Sequence, residues 1–427
     1  MTLMHPLEVA GCGCDALDQG QGQRLMPISA ALAVIKDWTT ISAGGEVIGL
    51  EQARGRILAA PVTAQAMTPP FDNSAMDGYT LCTADLRGEG PWTLTVSHCI
   101  RAGSPADMPL QAGQAMQVFT GAPLPVEADT VVMRERVLRS GDHITLTRRP
   151  KPQDNIRYTG EDMRPGQLIV DVGRRLDTAA IAAIAAAGCG LIQVRPRPRI
   201  AILTTGDEVR SAGTVLGAAA IWDVNSPMLT AAVTGAGAAV VEVIHGGDSL
   251  EALRDTLAEL CQRVDVIVTT GGISVGAADF VKPAIAELGG EFGFSGVALK
   301  PGKPVSFGRI GAAYWLGLPG NPVSALVTWT LFGPQLLSEL TGATSPAARR
   351  RHVVVDAALT HHTGRCELRL ATLFGFDGLG REVVCCPQET KSAQVSRLVE
   401  ADGLVFIPAE ADSIPKGGMV EFLPFNS

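Results

Sequence analysis

Three glycine-rich, polar stretches carry the residues best suited to chemistry: Thr204-Thr205-Gly206-Asp207-Glu208, Thr269-Thr270-Gly271-Gly272-Ile273-Ser274-Val275-Gly276 and Gly317-Leu318-Pro319-Gly320-Asn321-Pro322. Each follows an apolar run of strand length, Ile200 to Leu203, Val264 to Val268 and Ala313 to Leu316. In a doubly wound α/β domain ligands bind beyond the carboxyl ends of the strands. Glycines let backbone N–H groups approach an anion, and helix N-termini add about half a positive charge each, so three such loops on one crevice make a phosphate seat. Carboxylates gather at the same edge: Asp207, Glu208, Asp223, Asp248 and Asp279. Asp248-Ser-Leu-Glu251 also fits a helix cap, as does Asp279 ahead of a helix containing Pro283, whereas Asp207-Glu208 shows no capping pattern. Carboxylates beside a phosphate repel it unless a divalent cation intervenes, and Mg²⁺ bridges one or two carboxylates to phosphate oxygens. The inference is a Mg²⁺-dependent phosphoanhydride reaction. The positive counterpart is Lys300-Pro301-Gly302-Lys303-Pro304, whose prolines stiffen a segment carrying two ammonium groups suited to a small oxyanion.

The elements that must position these residues follow from periodicity. Between about 199 and 340 strand and helix signals alternate, with Ala239 to Ile244 a further strand and 249 to 263 a helix placing Leu250, Leu253, Leu257 and Leu260 on one stripe. That is a βα repeat with a largely parallel sheet. Pro322 opens a helix whose Val323, Val327 and Leu331 share a face. Upstream, 28–38 and 46–60 read as helical, 74–156 as short alternating strands between Gly/Pro turns, and 177–187 as an Ala-rich helix ending at a boundary marked by Pro196 and Pro198. From 348 onward short strands at Val353 to Val355, Glu367 to Leu370, Leu404 to Ile407 and Met419 to Phe422 predict a small β barrel or sandwich.

Composition excludes several classes. With 427 residues, 46% apolar and only 18% charged, and a mean hydropathy of +0.21, the chain is a folded multidomain protein. Thirty-five basic against forty-three acidic residues give a net charge of −8, which argues against a nucleic-acid binder, and 5% aromatics leave little for base stacking. Nine cysteines without a CxxC pair point to reduced thiols in a cytoplasmic protein. No secretory signal and no apolar stretch of the ~20 residues that span a bilayer predict a soluble protein without a membrane partner. Gly11-Cys-Gly13-Cys-Asp-Ala16 matches a dinucleotide fingerprint in letters, but no strand precedes it. Walker, zincin and α/β-hydrolase signatures are absent.

The full motif set resembles the molybdopterin molybdenumtransferase family, also called MoeA, and the E domain of gephyrin. It comprises Pro69-Pro-Phe-Asp-Asn-Ser-Ala-Met-Asp-Gly-Tyr79, Phe119-Thr-Gly-Ala-Pro-Leu-Pro125, Ala128-Asp-Thr-Val-Val-Met133, Asn155-Ile-Arg157 and Gly160-Glu-Asp162, with Thr205-Gly-Asp-Glu208, Gly271-Gly-Ile-Ser-Val-Gly276, Lys300-Pro-Gly-Lys-Pro304 and Gly317-Leu-Pro-Gly-Asn-Pro-Val-Ser324. The resemblance spans roughly 28–425. It implies insertion of molybdate into the dithiolene of adenylylated molybdopterin with release of AMP. It also implies a multidomain α/β protein: an elongated helical and extended N-terminal domain from 1–73 with 157–192, in which 1–25 are flexible, a small β insertion domain at 74–156, a doubly wound, mostly parallel α/β domain at 193–347 and a C-terminal β barrel at 348–427. A homodimer is implied, its cleft lying between the α/β domain of one subunit and the small β domain of the other. Molybdopterin adenylyltransferase and acceptor molybdoenzymes are the implied partners.

Carried onto this chain, the resemblance puts Asp77, Thr120, Arg157 and Asp162 on the partner-facing side, with Asp77 and Asp162 joining Asp207 and Glu208 in catalysis. Glu208 is the first choice for the catalytic carboxylate. Asp207, Asp223, Asp248 and Asp279 would hold the cation; Gly271, Gly272, Ser274, Pro319, Gly320, Asn321 and Pro322 would shape the substrate site. Lys300, Lys303, Ser324, Arg365 and Ser392 would hold molybdate. Some relatives carry a further lysine where this chain has Gly296. Two alternatives remain open: a molybdopterin adenylyltransferase, which the α/β domain alone also resembles, and a gephyrin-like scaffold with a vestigial pocket.

Overall fold

The structure is a computed structural model, and it describes residues 25–247, 249–273, 279–344 and 350–425. Its centre is a six-stranded sheet in the spatial order Ala239–Gly246, Arg199–Thr205, Val266–Thr270, Ala313–Leu318, Ser306–Ile310, Glu291–Ser295. The first four strands are parallel and the last two antiparallel. Val266–Thr270 is buried along its whole length, as expected of a strand covered by helices on both faces. Helices Asn225–Gly235 and Pro322–Thr341 pack on one face, and Leu250–Leu260 with Val281–Glu287 on the other. The 250–260 helix buries Leu253, Leu257 and Leu260, the predicted stripe, and the Ser249 hydroxyl accepts from the Ala252 N–H at 3.4 Å.

The strand order sets the ligand position. From Arg199–Thr205 the chain crosses to one neighbour, Ala239–Gly246, and then returns on the other side as Val266–Thr270. The carboxyl ends of Arg199–Thr205 and Val266–Thr270 therefore diverge at a topological switch point, where a crevice opens. Glu291–Ser295 and Ser306–Ile310, not foreseen as strands, extend the sheet beyond Ala313–Leu318.

The other regions agree with the periodicity except at one place. Residues 46–60, expected as helix, contain strand Glu46–Gly49 and a short 3-10 turn, Leu50–Gln52. The strand pairs antiparallel with Leu191–Val194, so a distant partner overrides the local pattern. Helix Thr178–Ala186 is capped by Asp177, whose Oδ1 accepts from the Ala180 N–H at 2.8 Å. Six strands, Thr130–Met133, Gly78–Leu81, Gln114–Val118, Trp92–Ile100, His143–Leu146 and Val137–Ser140, form the small β region. At the C-terminus Cys366–Phe376, Glu382–Cys385, Arg351–Val355, Met419–Pro424 and Gly403–Ile407 close into a five-stranded barrel through the pairing of the first with the last. Leu299–Lys300 adds to its side in parallel register with Cys366 and Glu367. Helix Ile28–Trp38 buries Ile28, Ala31 and Ile35 in the core shared by the central sheet, the 322–341 helix and the barrel residues Cys366, Leu368 and Phe406.

Candidate functional site

A cleft of about 760 Å³ occupies the switch point, within the size range of small-molecule sites. Its floor is glycine for steric reasons. Gly271 (φ +88°) would place a Cβ 2.7 Å from the Thr205 Oγ1, and Gly272 (φ +61°) one 2.9 Å from the Val281 Cγ2. A Cβ on Gly320 would lie 3.5 Å from the Gly271 Cα, so the second and third loops touch. Two hydrogen bonds join them: the Gly271 N–H donates to the Leu318 carbonyl at 3.2 Å, and the Thr270 hydroxyl donates to the Pro319 carbonyl at 3.0 Å.

Glu208, Asp223 and Asp279 line the cleft. Glu208 is exposed and its carboxylate lies over the first loop, since a Cβ on Gly206 would meet its Oε2 at 2.8 Å. Asp207 is not among the lining residues; its Oδ1 lies beside Gly247. Asp223 Oδ1 accepts from the Ser226 N–H at 2.9 Å and so caps the 225–235 helix, leaving its second oxygen for the cleft. The helix after Asp279 starts at Val281, with Phe280 at its cap position. Asp248 and Ser274 lie outside the described residues. Gly271, Gly272, Pro319, Gly320, Asn321 and Pro322 all line the cleft, and Pro322 is the first residue of the 322–341 helix.

The lysine segment meets the cleft only at Pro304. Lys300 lies in register with Glu367, its Nζ 3.6 Å from the Glu367 Oε1, and Lys303 is exposed. Gly302 packs on the first turns of the 322–341 helix, against Thr328. Ser324 is buried in that helix's first turn, and the Val323 N–H donates to the Ser392 carbonyl at 3.1 Å, so Ser324 and Ser392 flank one helix N-terminus. Arg365 immediately precedes the strand that pairs with Lys300. Gly296 has φ +96°, a conformation that a lysine would adopt only with strain.

Asp77, Thr120, Arg157 and Asp162 are absent from the lining of this cleft. Asp77 Oδ1 accepts from both the backbone N–H and the hydroxyl of Thr120, each at 2.9 Å, and these bonds hold its carboxyl below the usual range. Arg157 pairs with Asn73 in a two-residue ladder, and the Asp162 N–H donates to the Thr68 carbonyl at 3.0 Å. Arg157 and Asp162 are exposed.

Sequence reasoning missed Asn225. Its Nδ2 donates to the Thr270 Oγ1 at 2.8 Å and to the Gly320 carbonyl at 2.7 Å, tying the helix to two loops of the cleft. The Asp223-x-x-Ser226 capping pattern marks its position. Trp222, Ala393 and Val395 also line the cleft without having been foreseen.

Comparison with known proteins covers almost the whole chain. Residues 26–188 match the model for the MoeA N-terminal region (domain I and II), 201–338 that for a probable molybdopterin binding domain, and 352–425 that for the MoeA C-terminal region (domain IV). The chain is 35% identical over 382 residues to molybdopterin molybdenumtransferase 2 of Mycobacterium tuberculosis, covering 88% of this chain and 93% of the relative. It is 36% identical over 303 residues to the molybdopterin molybdenumtransferase of Nostoc sp., covering 70% of each. The crystal structure of a molybdopterin biosynthesis moeA protein from Pyrococcus horikoshii superposes with a TM-score of 0.82 at 25% identity, covering 94% of this chain and all of that one. Three matching regions in the same order, with this identity and this shared architecture, establish that the chain belongs to the molybdopterin molybdenumtransferase (MoeA) family.

Proposed function

We propose that this molybdenum-cofactor transferase inserts molybdate into adenylylated molybdopterin and releases AMP. The observation that carries this reading is the switch-point cleft, shaped by glycine on two touching loops and rimmed by Glu208, Asp223 and Asp279. The MoeA N-terminal and C-terminal matches favour it over an adenylyltransferase consisting of the α/β domain alone.

The donor set fits a cation that shares its shell with substrate. Among the described residues no three His, Cys, Asp or Glu side chains converge to hold a metal ion, whereas Mg²⁺ usually takes one or two carboxylates and fills its shell with phosphate oxygens and water. Asp223 and Asp279, which line the cleft, would hold it, and it would neutralise the phosphoanhydride's charge. Gly271 and Gly272 admit the phosphates close to the backbone. Glu208 accepts the proton of the water that attacks the adenylate phosphorus, the bridging P–O bond of the anhydride breaks with the pterin's phosphate as leaving group, and AMP is the product released. Lys300, Lys303, Ser324, Arg365 and Ser392 would hold the molybdate dianion; Lys300 and Arg365 lie at the edge of the barrel strand 366–376, and Ser324 with Ser392 at the N-terminus of the 322–341 helix.

Asp77, Thr120, Arg157 and Asp162 then serve a second copy's cleft, which makes the working unit a homodimer. No helix among the described residues is long and apolar enough to cross a membrane; we place the protein in the cytoplasm, handing product to molybdoenzymes and receiving substrate from an adenylyltransferase. The test is AMP release from adenylylated molybdopterin on addition of molybdate and Mg²⁺. Consumption of ATP with free molybdopterin, and no AMP release from the adenylylated form, would overturn the reading. For the dimer, an inactive Asp77→Ala chain mixed with an inactive Glu208→Gln chain should regain activity in the hybrid, and failure to do so would place both residues in one subunit's cleft.

A further inference from the structure

Where the N-terminal region meets the α/β region lies a small hollow that the reaction does not use. Its volume is about 20 Å³, room for one water-sized group, and Arg56, Arg175, Arg195 and Arg197 all line it. It shares no lining residue with the 760 Å³ cleft. Arginine does not shed its proton in proteins, so a guanidinium withdrawn from water needs an anion or strong dipoles beside it. Arg56, 8% exposed, has Glu46 as its partner and also donates to the Arg195 carbonyl at 2.7 Å.

Arg175 lacks such compensation. Its Nη1 donates to the Gly55 carbonyl at 3.2 Å, and its Nε is buried with no hydrogen-bond partner. Burial lowers its pKa, and no carboxylate opposes the shift. Gly237 is pressed against it, since a Cβ there would come 3.3 Å from the Arg175 Nη1. Arg195 donates to the Gly44 carbonyl at 3.4 Å, and among the described residues no carboxylate pairs with Arg175, Arg195 or Arg197. Two helices end at the hollow, Asn225–Gly235 at Ala236 and Pro322–Thr341 at Thr341, each bringing about half a negative charge. With Glu46 they leave an excess of about two positive charges.

We propose that this hollow binds a dianionic oxyanion of the phosphate class, one oxygen filling the cavity and the remainder facing the exposed Arg197. The charge of the ligand matches the excess, and guanidinium forks suit its oxygens. Bound there, it braces residues 55–57 and 175 against the 195–198 linker and both helix ends.

The test is calorimetric titration of the full-length protein with inorganic phosphate, paired with thermal unfolding at low-millimolar phosphate. One site per chain is expected, with Tm rising with the logarithm of phosphate concentration. Arg175→Gln and Arg197→Gln should each weaken binding by ~10-fold or more, from loss of a charged hydrogen bond; the exposed Arg197 variant keeps the test sound if Arg175→Gln fails to fold. Lys300→Ala should leave phosphate binding intact, separating this site from the proposed molybdate position. Unchanged affinity in Arg197→Gln, loss of binding in Lys300→Ala, or an equal Tm shift with chloride would overturn the proposal. A Tm rise that persists undiminished in the arginine variants would do so too, because it marks a general salt effect.

Discussion

Glu208 stands exposed over the glycine turn at the mouth of the cleft, while Glu367, 2% exposed, lies within the barrel among cations. Arg369 Nε is 3.1 Å and Lys300 Nζ 3.6 Å from one oxygen of Glu367, and His361 Nε2 is 3.7 Å from the other. Arg369 further donates to the Pro387 carbonyl at 3.3 Å and to the Thr360 carbonyl. The His361 Nδ1 bonds to the Ala411 carbonyl at 2.7 Å, which fixes the ring so that Nε2 faces the carboxylate. A carboxylate left in water keeps its oxygens for whatever enters. One taken out of water must be matched by fixed positive charge, and removing it exposes that charge to an apolar interior. The two glutamates should therefore fail in different ways when changed.

The largest effect expected is on Glu208→Gln. AMP release should fall by ~10²- to 10⁴-fold, the usual contribution of a positioned acid or base, while the unfolding midpoint in urea stays at the wild-type value. A variant that unfolds early would erase the distinction. Glu367→Ala should instead act on stability, costing about 3–5 kcal/mol in the same urea measurement because Arg369 is left buried without its carboxylate. Replacing Glu367 and Arg369 together by apolar residues should recover much of that loss, and an undiminished loss would show that the pair's charge is not the cause.

Asp223 combines both behaviours, since one oxygen caps the 225–235 helix. Asp223→Ala should cost about 1 kcal/mol of stability as well as activity, whereas Asp223→Asn, which retains the capping oxygen, should lose activity with stability nearly intact. The smallest effect concerns Asp77, whose folded carboxyl is held down by the Thr120 backbone N–H and hydroxyl. A depressed folded pKa adds stability above the unfolded carboxylate range, and that stability is lost as pH falls through the folded value. Thr120→Val removes the hydroxyl bond and should move the Asp77 titration, followed by NMR of its Cγ, upward in pH. No movement would mean that the backbone N–H alone sets it.

Legibility in the sequence tracked the range of the interaction. Strands Arg199–Thr205, Val266–Thr270 and Ala313–Leu318, the leucine stripe of the 250–260 helix and the Pro322 start could be read because each depends on local periodicity or on one residue's backbone preference. The cleft glycines were visible for the same reason: positive φ and close approach demand Gly wherever they occur. Glu46–Gly49 misread as helix because its partner Leu191–Val194 is remote in the chain. Asn225 went unnoticed because its meaning lies in bonds to Thr270 and Gly320.

By itself, then, the amino-acid order determined the βα repeat, the turn chemistry of three loops and the supply of carboxylates and lysines near them, all consequences of short-range backbone and side-chain preference. Only the tertiary structure decided that the strand order reverses beside Thr205 and Thr270, that Asp223 shares its carboxylate with a helix, and that Lys300 faces a buried Glu367. Four arginines from separate segments meet at one hollow by the same means. Those facts arise from strand pairing and helix packing between distant residues, which composition and spacing do not encode one residue at a time.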